Sequence, residues 1–322
     1  MSWSEVKLQS QRKEYGKALV ELGAKNRNLV VLDADLSVST RTGEFGRAYP
    51  DRFFNCGVSE ANMVTTAAGL AMSGKLVFAS SFAVFLTGLT YNQIRQSIAY
   101  PKTNVKIAAS HAGLSVGPDG ATHQMLEDVG LMRGLPNMTV VVPADATETY
   151  QATYALAELN GPAYMRFSRS DVPSVRENSS GTDFSLGRAS VIREGSDITL
   201  MGCGQMVYAC IVAANQLSEE GISAAVVNMS TIKPLDGKTV SRFARDTGAI
   251  VTAEEHSVLN GLGDAVCSEV AAHCPVPVMK VGTKDTFGES GEAGELLVKY
   301  GLTPDGIAGA AKRALEEKRR LR

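Results

Sequence analysis

Two histidines and a carboxylate share one glycine-rich stretch of this 322-residue chain. An apolar run, Val105-Lys106-Ile107-Ala108-Ala109, gives way at Ser110-His111 to Ala112-Gly113-Leu114-Ser115-Val116-Gly117-Pro118-Asp119-Gly120-Ala121-Thr122-His123. Imidazoles exchange protons near neutral pH, so His111 and His123 are suited to general acid–base work, and the Asp119 carboxylate lies between them. The glycines allow a ligand close to the backbone. Taken singly, either histidine would serve as well as a structural donor to a carbonyl. A His-Asp-His metal site is a third reading, but no HxH or HExxH spacing supports it.

Such a loop needs a scaffold. Short β-branched runs alternate with longer helical patterns, which is the signature of parallel βαβ units. Strands are predicted at Leu29 to Leu32, Phe53 to Cys56, Leu76 to Ala79, Val105 to Ala109, Thr139 to Val142 and Ala163 to Arg166. Helices are predicted at Ala61 to Met72, Asn92 to Ala99 and Thr147 to Leu159. The pattern fails over 176–187, which is polar and reads as a linker. A second alternation follows, with strands near Ile198 to Met201, Ala224 to Val227, Ala249 to Ala253 and Val276 to Lys280, and a closing helix from Thr303 to Lys318. The expected fold is α/β: two consecutive domains, 1–175 and 188–322, each a mostly parallel sheet flanked by helices.

Ligands of open α/β sheets bind outside the carboxyl ends of the strands. Asp33, Asp35, Ser37 and Ser39 follow the first predicted strand, Ser59 and Glu60 the second, Ser110-His111 the fourth, and Ser168-Arg169-Ser170-Asp171 the sixth. Each has an ordinary explanation. Glu60 would suit a helix N-terminus with Ser59 as its cap, Asp33 and Asp35 would suit turns, Arg169 a surface ion pair, and Phe82 with Phe85 core packing. Accident would have to place all the polar ones at one sheet edge, which is why the edge is read as a site.

Composition narrows the partners. A formal net charge of -2 leaves no basic excess for nucleic acid or an anionic membrane. Five cysteines, an odd number, suggest a reducing cytoplasm without a disulfide framework. The seven-residue spacing of Cys203/Cys210 and of Cys267/Cys274 reads as small hydrophobes on a helix face. Met1-Ser2-Trp3-Ser4-Glu5 has no apolar signal core, and the most apolar stretch, near Val77 to Leu89, is too short for a bilayer. The expectation is a soluble cytoplasmic protein.

The chain resembles the pyrimidine-binding and C-terminal domains of transketolase over nearly its whole length. The resemblance rests on Leu32-Asp33-Ala34-Asp35-Leu36-Ser37-Val38-Ser39, Pro50-Asp51-Arg52-Phe53, Val58-Ser59-Glu60-Ala61-Asn62-Met63 and Ser81-Phe82-Ala83-Val84-Phe85. It continues through Ser110-His111-Ala112-Gly113, Gly117-Pro118-Asp119-Gly120-Ala121-Thr122-His123-Gln124 and Phe167-Ser168-Arg169. In the second half it covers Thr231-Ile232-Lys233-Pro234-Leu235-Asp236, Glu254-Glu255-His256 and Asp285-Thr286-Phe287-Gly288. Relatives commonly carry Gly-Glu-Asp-Gly-Pro-Thr-His where this chain has Gly117 to His123, and Leu89 and Asn92 also depart from the family pattern.

The resemblance implies a thiamine diphosphate-dependent enzyme moving a two-carbon ketol unit from a ketose phosphate to an aldose phosphate, as in the pentose phosphate pathway. Glu60 matches the carboxyl that bonds the cofactor's pyrimidine, Phe82 and Phe85 its aromatic wall, and Asp35 an aspartate near the cofactor at a subunit interface. His111 and His123 match groups that donate to sugar oxygens and move protons. Asp119 matches a hydroxyl-recognising aspartate, and Ser39 and Arg169 match the binders of the substrate phosphate. The Gly-Asp-Gly segment by which the family holds Mg²⁺ and the diphosphate does not occur. The resemblance therefore implies one subunit of a split transketolase, inactive alone and with no metal ligands of its own. A separate N-terminal subunit would supply the Mg²⁺ site in an α2β2 heterotetramer, with dimer contacts expected of the C-terminal domain. Deoxyxylulose-phosphate synthases and 2-oxo acid dehydrogenase β subunits share the domain order or the fold, but their loops differ around His111 to Gln124. A non-catalytic partner subunit is a further alternative, disfavoured by the joint presence of Glu60, His111, Asp119, His123 and Arg169.

Overall fold

The computed structural model describes residues 7–175 and 184–321. Most of the predicted linker, 176–183, lies outside the described residues. The first half contributes strands β1 (Leu8–Gln9), β2 (Leu29–Asp33), β3 (Phe53–Asn55), β4 (Leu76–Phe82), β5 (Val105–Ser110), β6 (Thr139–Val141), β7 (Ala163–Arg166) and β8 (Val172–Pro173). The second contributes β9 (Ser190–Arg193), β10 (Ile198–Gly202), β11 (Ala224–Asn228), β12 (Thr231–Lys233), β13 (Ile250–Ser257) and β14 (Val278–Thr283).

The larger sheet runs β12-β6-β7-β5-β4-β2-β3 and the smaller β14-β13-β10-β11-β9. Both are parallel except at one edge strand each, β12 and β9. Strands β2, β4, β5 and β7 are buried throughout, which explains their nearly unbroken apolar runs: helices cover both faces of a parallel sheet. The two-residue period of β2 shows this directly. Leu29 and Val31 pack with Tyr15, Leu19 and Leu22 of helix Gln11–Lys25. Val30 and Leu32 face Met63, Val64 and Ala67 of helix Glu60–Met72 on the other side. Parallel register aligns Asp33 with Asn55 and Ser80, and Phe82 with Ser110, so the carboxyl ends of four strands form one rim.

Several features differ from expectation. Strand β12 belongs to the second half by sequence, yet it pairs antiparallel with β6 of the larger sheet. One core joins Val129, Met132 and Val140 to Met201, Ile232, Phe243 and Leu262, so the two halves share their packing. Strand β14 begins at Val278 and not at Val276, because Pro275 and Pro277 have no N–H to give a ladder. In each cysteine pair only one member lies inside a helix. Cys203 lies just past β10 while Cys210 is in helix Met206–Glu219, and Cys274 caps the helix that contains Cys267. No helix among the described residues is long and apolar enough to cross a membrane.

Candidate active site

Glu60 opens helix Glu60–Met72. Ser59 occupies the cap position but makes no side-chain cap bond. The Glu60 side chain is turned inward, and the residue is 7% exposed. Its Oε1 accepts a hydrogen bond from Ser81 Oγ at 3.1 Å. Among the described residues no donor engages Oε2, so a buried carboxyl keeps one oxygen available.

Ser81 lies near the end of β4, and the chain beyond it supplies an aromatic wall. Phe82 ends the strand, and Phe85 sits in a π-helical stretch, Val84–Leu89, a form that recurs at functional sites. Their rings lie 5.9 Å apart and 14° from parallel. His111 stacks on Phe82 at 3.7 Å, and His123 meets the Phe85 ring edge-on at 5.5 Å. The structure thus brings Phe82, Phe85, His111 and His123 together from two chain segments, and Glu60, from a third, bonds Ser81, the residue before Phe82.

The two imidazoles are held differently. His111 takes the left-handed region, φ 55°, directly after β5, and its Nδ1 lies 2.9 Å from Ser110 Oγ. Burial, aided by Arg12, Arg169 and His123, pushes its pKa down to about 3. It is therefore a neutral imidazole at physiological pH, not the group titrating near neutrality that its type suggests. His123 is less buried, and its Nδ1 lies 2.9 Å from Thr122 Oγ1.

A second cluster is cationic. Arg169 donates to the Val116 carbonyl at 3.0 Å, and its Nε lies 4.0 Å from Asp119 Oδ2. Arg12 donates to the Ser39 carbonyl at 2.9 Å. Burial lowers the Arg12 pKa, and the neighbouring charges of Arg41 and Arg169 lower it further against the pull of Asp171. The Nε atoms of Arg12 and Arg41 are buried and have no acceptor among the described residues. Guanidinium donors left without acceptors beside other cations are suited to an oxyanion. Arg12 and Arg41 escape sequence reasoning. Arg12 lies in a polar helix start, Gln11-Arg12-Lys13-Glu14, with no motif to mark it.

The remaining site candidates sit at the end of β2 and on the loop after it. Asp33 is buried and accepts from Leu36 N at 2.6 Å, Thr40 Oγ1 at 2.7 Å and Thr42 Oγ1 at 2.8 Å. Burial raises its pKa while these bonds oppose the rise. Asp33 therefore pins the loop that carries Ser39 and Arg41. Asp35 is exposed and left-handed at φ 64°, and Asn55 holds it through both its backbone N–H and its carboxylate.

The chain is similar to known proteins over nearly its whole length. Residues 8–175 match the family described as transketolase, pyrimidine binding domain, and residues 187–307 match transketolase, C-terminal domain. A solved structure titled "Split gene transketolase, inactive beta4 tetramer" is 51% identical, with a TM-score of 0.89 over 96% of this chain and 99% of that one. A 6-deoxy-6-sulfo-D-fructose transketolase subunit from Clostridium sp. is 41% identical over 98% of both chains. An apulose-4-phosphate transketolase subunit from Phocaeicola vulgatus is 37% identical over 93% of this chain and 96% of its own length. The chain belongs to the transketolase family and carries that family's pyrimidine-binding and C-terminal domains.

Proposed function

We propose that this chain is the pyrimidine-binding subunit of a two-chain, cytoplasmic transketolase that transfers a two-carbon ketol unit from a ketose phosphate to an aldose phosphate. The observation that carries the reading is the Glu60 carboxyl, buried with one oxygen free and bonded to Ser81, the residue before a parallel aromatic pair that His111 and His123 also touch. These residues fit the pyrimidine of thiamine diphosphate. A flat apolar wall suits a π-face, and a free carboxylate oxygen suits a ring nitrogen that must carry a proton.

When bound, thiamine diphosphate supplies the electron sink that carries the two-carbon unit. Glu60 holds a proton against the pyrimidine ring nitrogen, with Ser81 fixing its other oxygen. His111, neutral and bonded through Nδ1, offers Nε2 to a sugar oxygen, and His123 moves protons on and off the donor's hydroxyls. Asp119 recognises a hydroxyl. The substrate phosphate lies against Arg169, Arg12 and the Ser39 loop, where the unpaired guanidinium donors are found. Asp35 stands toward the subunit interface.

A partner chain supplies Mg²⁺ and the diphosphate site, and two copies of each chain form the assembly. Relatives named as subunits, and one titled as a split-gene protein inactive as a beta4 tetramer, support this arrangement. The rim supports it as well. Val38, Val58 and Leu89 follow the carboxyl ends of β2, β3 and β4 and are 82%, 83% and 68% exposed, an apolar fringe suited to a protein surface. The test is reconstitution. The chain, a subunit bearing the diphosphate site, thiamine diphosphate, Mg²⁺, xylulose 5-phosphate and ribose 5-phosphate should together yield sedoheptulose 7-phosphate, and either chain alone should yield none. Failure of every such pairing would reject the reading.

A further inference from the structure

We propose that Glu255, contributed by the second half of the chain, is a positioning residue that sets the loop between His111 and His123. The inference rests on the transferase reading for its consequence in turnover, but its geometric part stands alone. Among the described residues the loop is almost free of sheet contacts: Ala112 makes an isolated bridge to Met125, and Gly113 N–H donates to the Met125 carbonyl at 2.9 Å. Something else must fix it, because acid–base groups act only when placed within a fraction of an ångström.

Glu255 lies near the end of β13 and is 4% exposed. Its Oε1 accepts from the Ser115 backbone N–H, and its Oε2 accepts from Gln205 Nε2. Arg166, at the end of β7, donates to the Glu255 carbonyl at 2.7 Å and places its Nε 2.9 Å from Asp128 Oδ2, an oxygen that also accepts from Tyr164 at 2.6 Å. The Arg166 Nε–H is not aimed at that oxygen, so their attraction is charge without a hydrogen bond. The carboxyl is thus anchored in the shared core before it reaches the loop. Gly113 shows how close the approach is. Its φ is 84°, and any Cβ there would run into the Glu255 carboxyl.

The second half also braces the loop elsewhere along its length. Gln124 Nε2 donates to Leu114 O at 3.2 Å, to Gly117 O at 3.3 Å and to Glu289 O at 2.9 Å. A Cβ on Gly288 would strike the Gln124 side chain, and one on Gly120 would strike Ser290. Glu255 and Gly288, one in each of two family motifs, thereby make the second half a clamp on the histidine loop, in addition to any role in dimer contacts.

The test compares Glu255→Ala, Glu255→Gln and Gly288→Ala in the full chain by amide hydrogen exchange. Losing a charge-assisted bond should raise Ser115 exchange in Glu255→Ala by about 10–100-fold. The β5 and β13 amides should keep wild-type protection, and Glu255→Gln, which retains an acceptor oxygen, should restore most of the protection of the loop. Should Glu255→Ala fail to fold, Gly288→Ala presses on the loop through Gln124 and should loosen 112–124 alone. In the reconstituted enzyme, the variant with the loosened loop should lose kcat while its affinity for thiamine diphosphate holds, since Glu60, Phe82 and Phe85 lie on other segments. Unchanged loop exchange, or an equal rise throughout both sheets, would overturn the clamp. A wild-type pair without ketol transfer would instead overturn the reaction reading and leave the exchange result to decide the clamp.

Discussion

The rings of Phe82 and His111 lie one on the other, centroids 3.7 Å apart and planes 16° from parallel. The stack is a product of sheet register. Phe82 pairs with Ser110 across β4 and β5, and His111 is the next residue, turned back by a left-handed φ. The ring is thereby enclosed, and enclosure drives its pKa down to about 3.

Neutral His111 predicts a pH signature. Titrated by NMR, its imidazole should stay unprotonated from pH 8 to 5, and a midpoint near the ordinary 6.5 would contradict the structure. The folded pKa lies below the unfolded one, so the unfolded chain takes up the proton first. The stability linked to this ring is therefore present above pH 6.5 and drains as the pH falls toward 3. The slope from one such group is at most about 1.4 kcal/mol per pH unit. His111→Asn should lose stability less steeply in denaturant melts across that window.

Arg169 and Arg12 should govern phosphate, not chemistry. Arg169→Ala should raise KM for a phosphorylated donor by about 10–100-fold, the worth of a charged hydrogen-bond pair. Arg169→Lys should recover only part of it, because a point charge lacks the planar fork. Steady-state kinetics with phosphorylated and unphosphorylated ketoses makes the comparison. An equal loss on both substrates would show that the arginine acts elsewhere.

The apolar fringe should bind protein. Val58→Asp and Leu89→Asp place charges on residues that are 83% and 68% exposed, so the melting temperature of the isolated chain should be unchanged within error. Assembly with the diphosphate-binding subunit, followed by analytical ultracentrifugation, should weaken by an order of magnitude or more, about 1.4 kcal/mol per tenfold. Unaltered assembly in both variants would move the interface elsewhere.

Much of this was legible in sequence because parallel strands buried on both faces write themselves as apolar runs: Leu29 to Leu32, Val105 to Ala109 and Ala163 to Arg166 stand nearly where expected. The residues following those runs, His111 among them, inherit their place at the rim from the topology. What escaped was set by distant partners. Strand β12 is three residues long and pairs with a segment some ninety residues earlier, information no local pattern contains. Helix Gln11–Lys25 opens polar, and its buried positions include Gln11 and two glycines, so its apolar stripe is faint and Arg12 goes unnoticed. Burial decided the protonation of His111, and burial is a property of the fold, not of the residue type.

The most direct measurement is turnover by the reconstituted pair carrying Glu60→Gln, alongside sedimentation of the same complex. Glu60→Gln keeps the shape and the Ser81 contact but cannot hold the proton, so ketol transfer should fall by about 10²–10⁴-fold with assembly intact. Turnover close to wild type in a fully assembled Glu60→Gln complex would contradict the role given to this carboxyl, and with it the account.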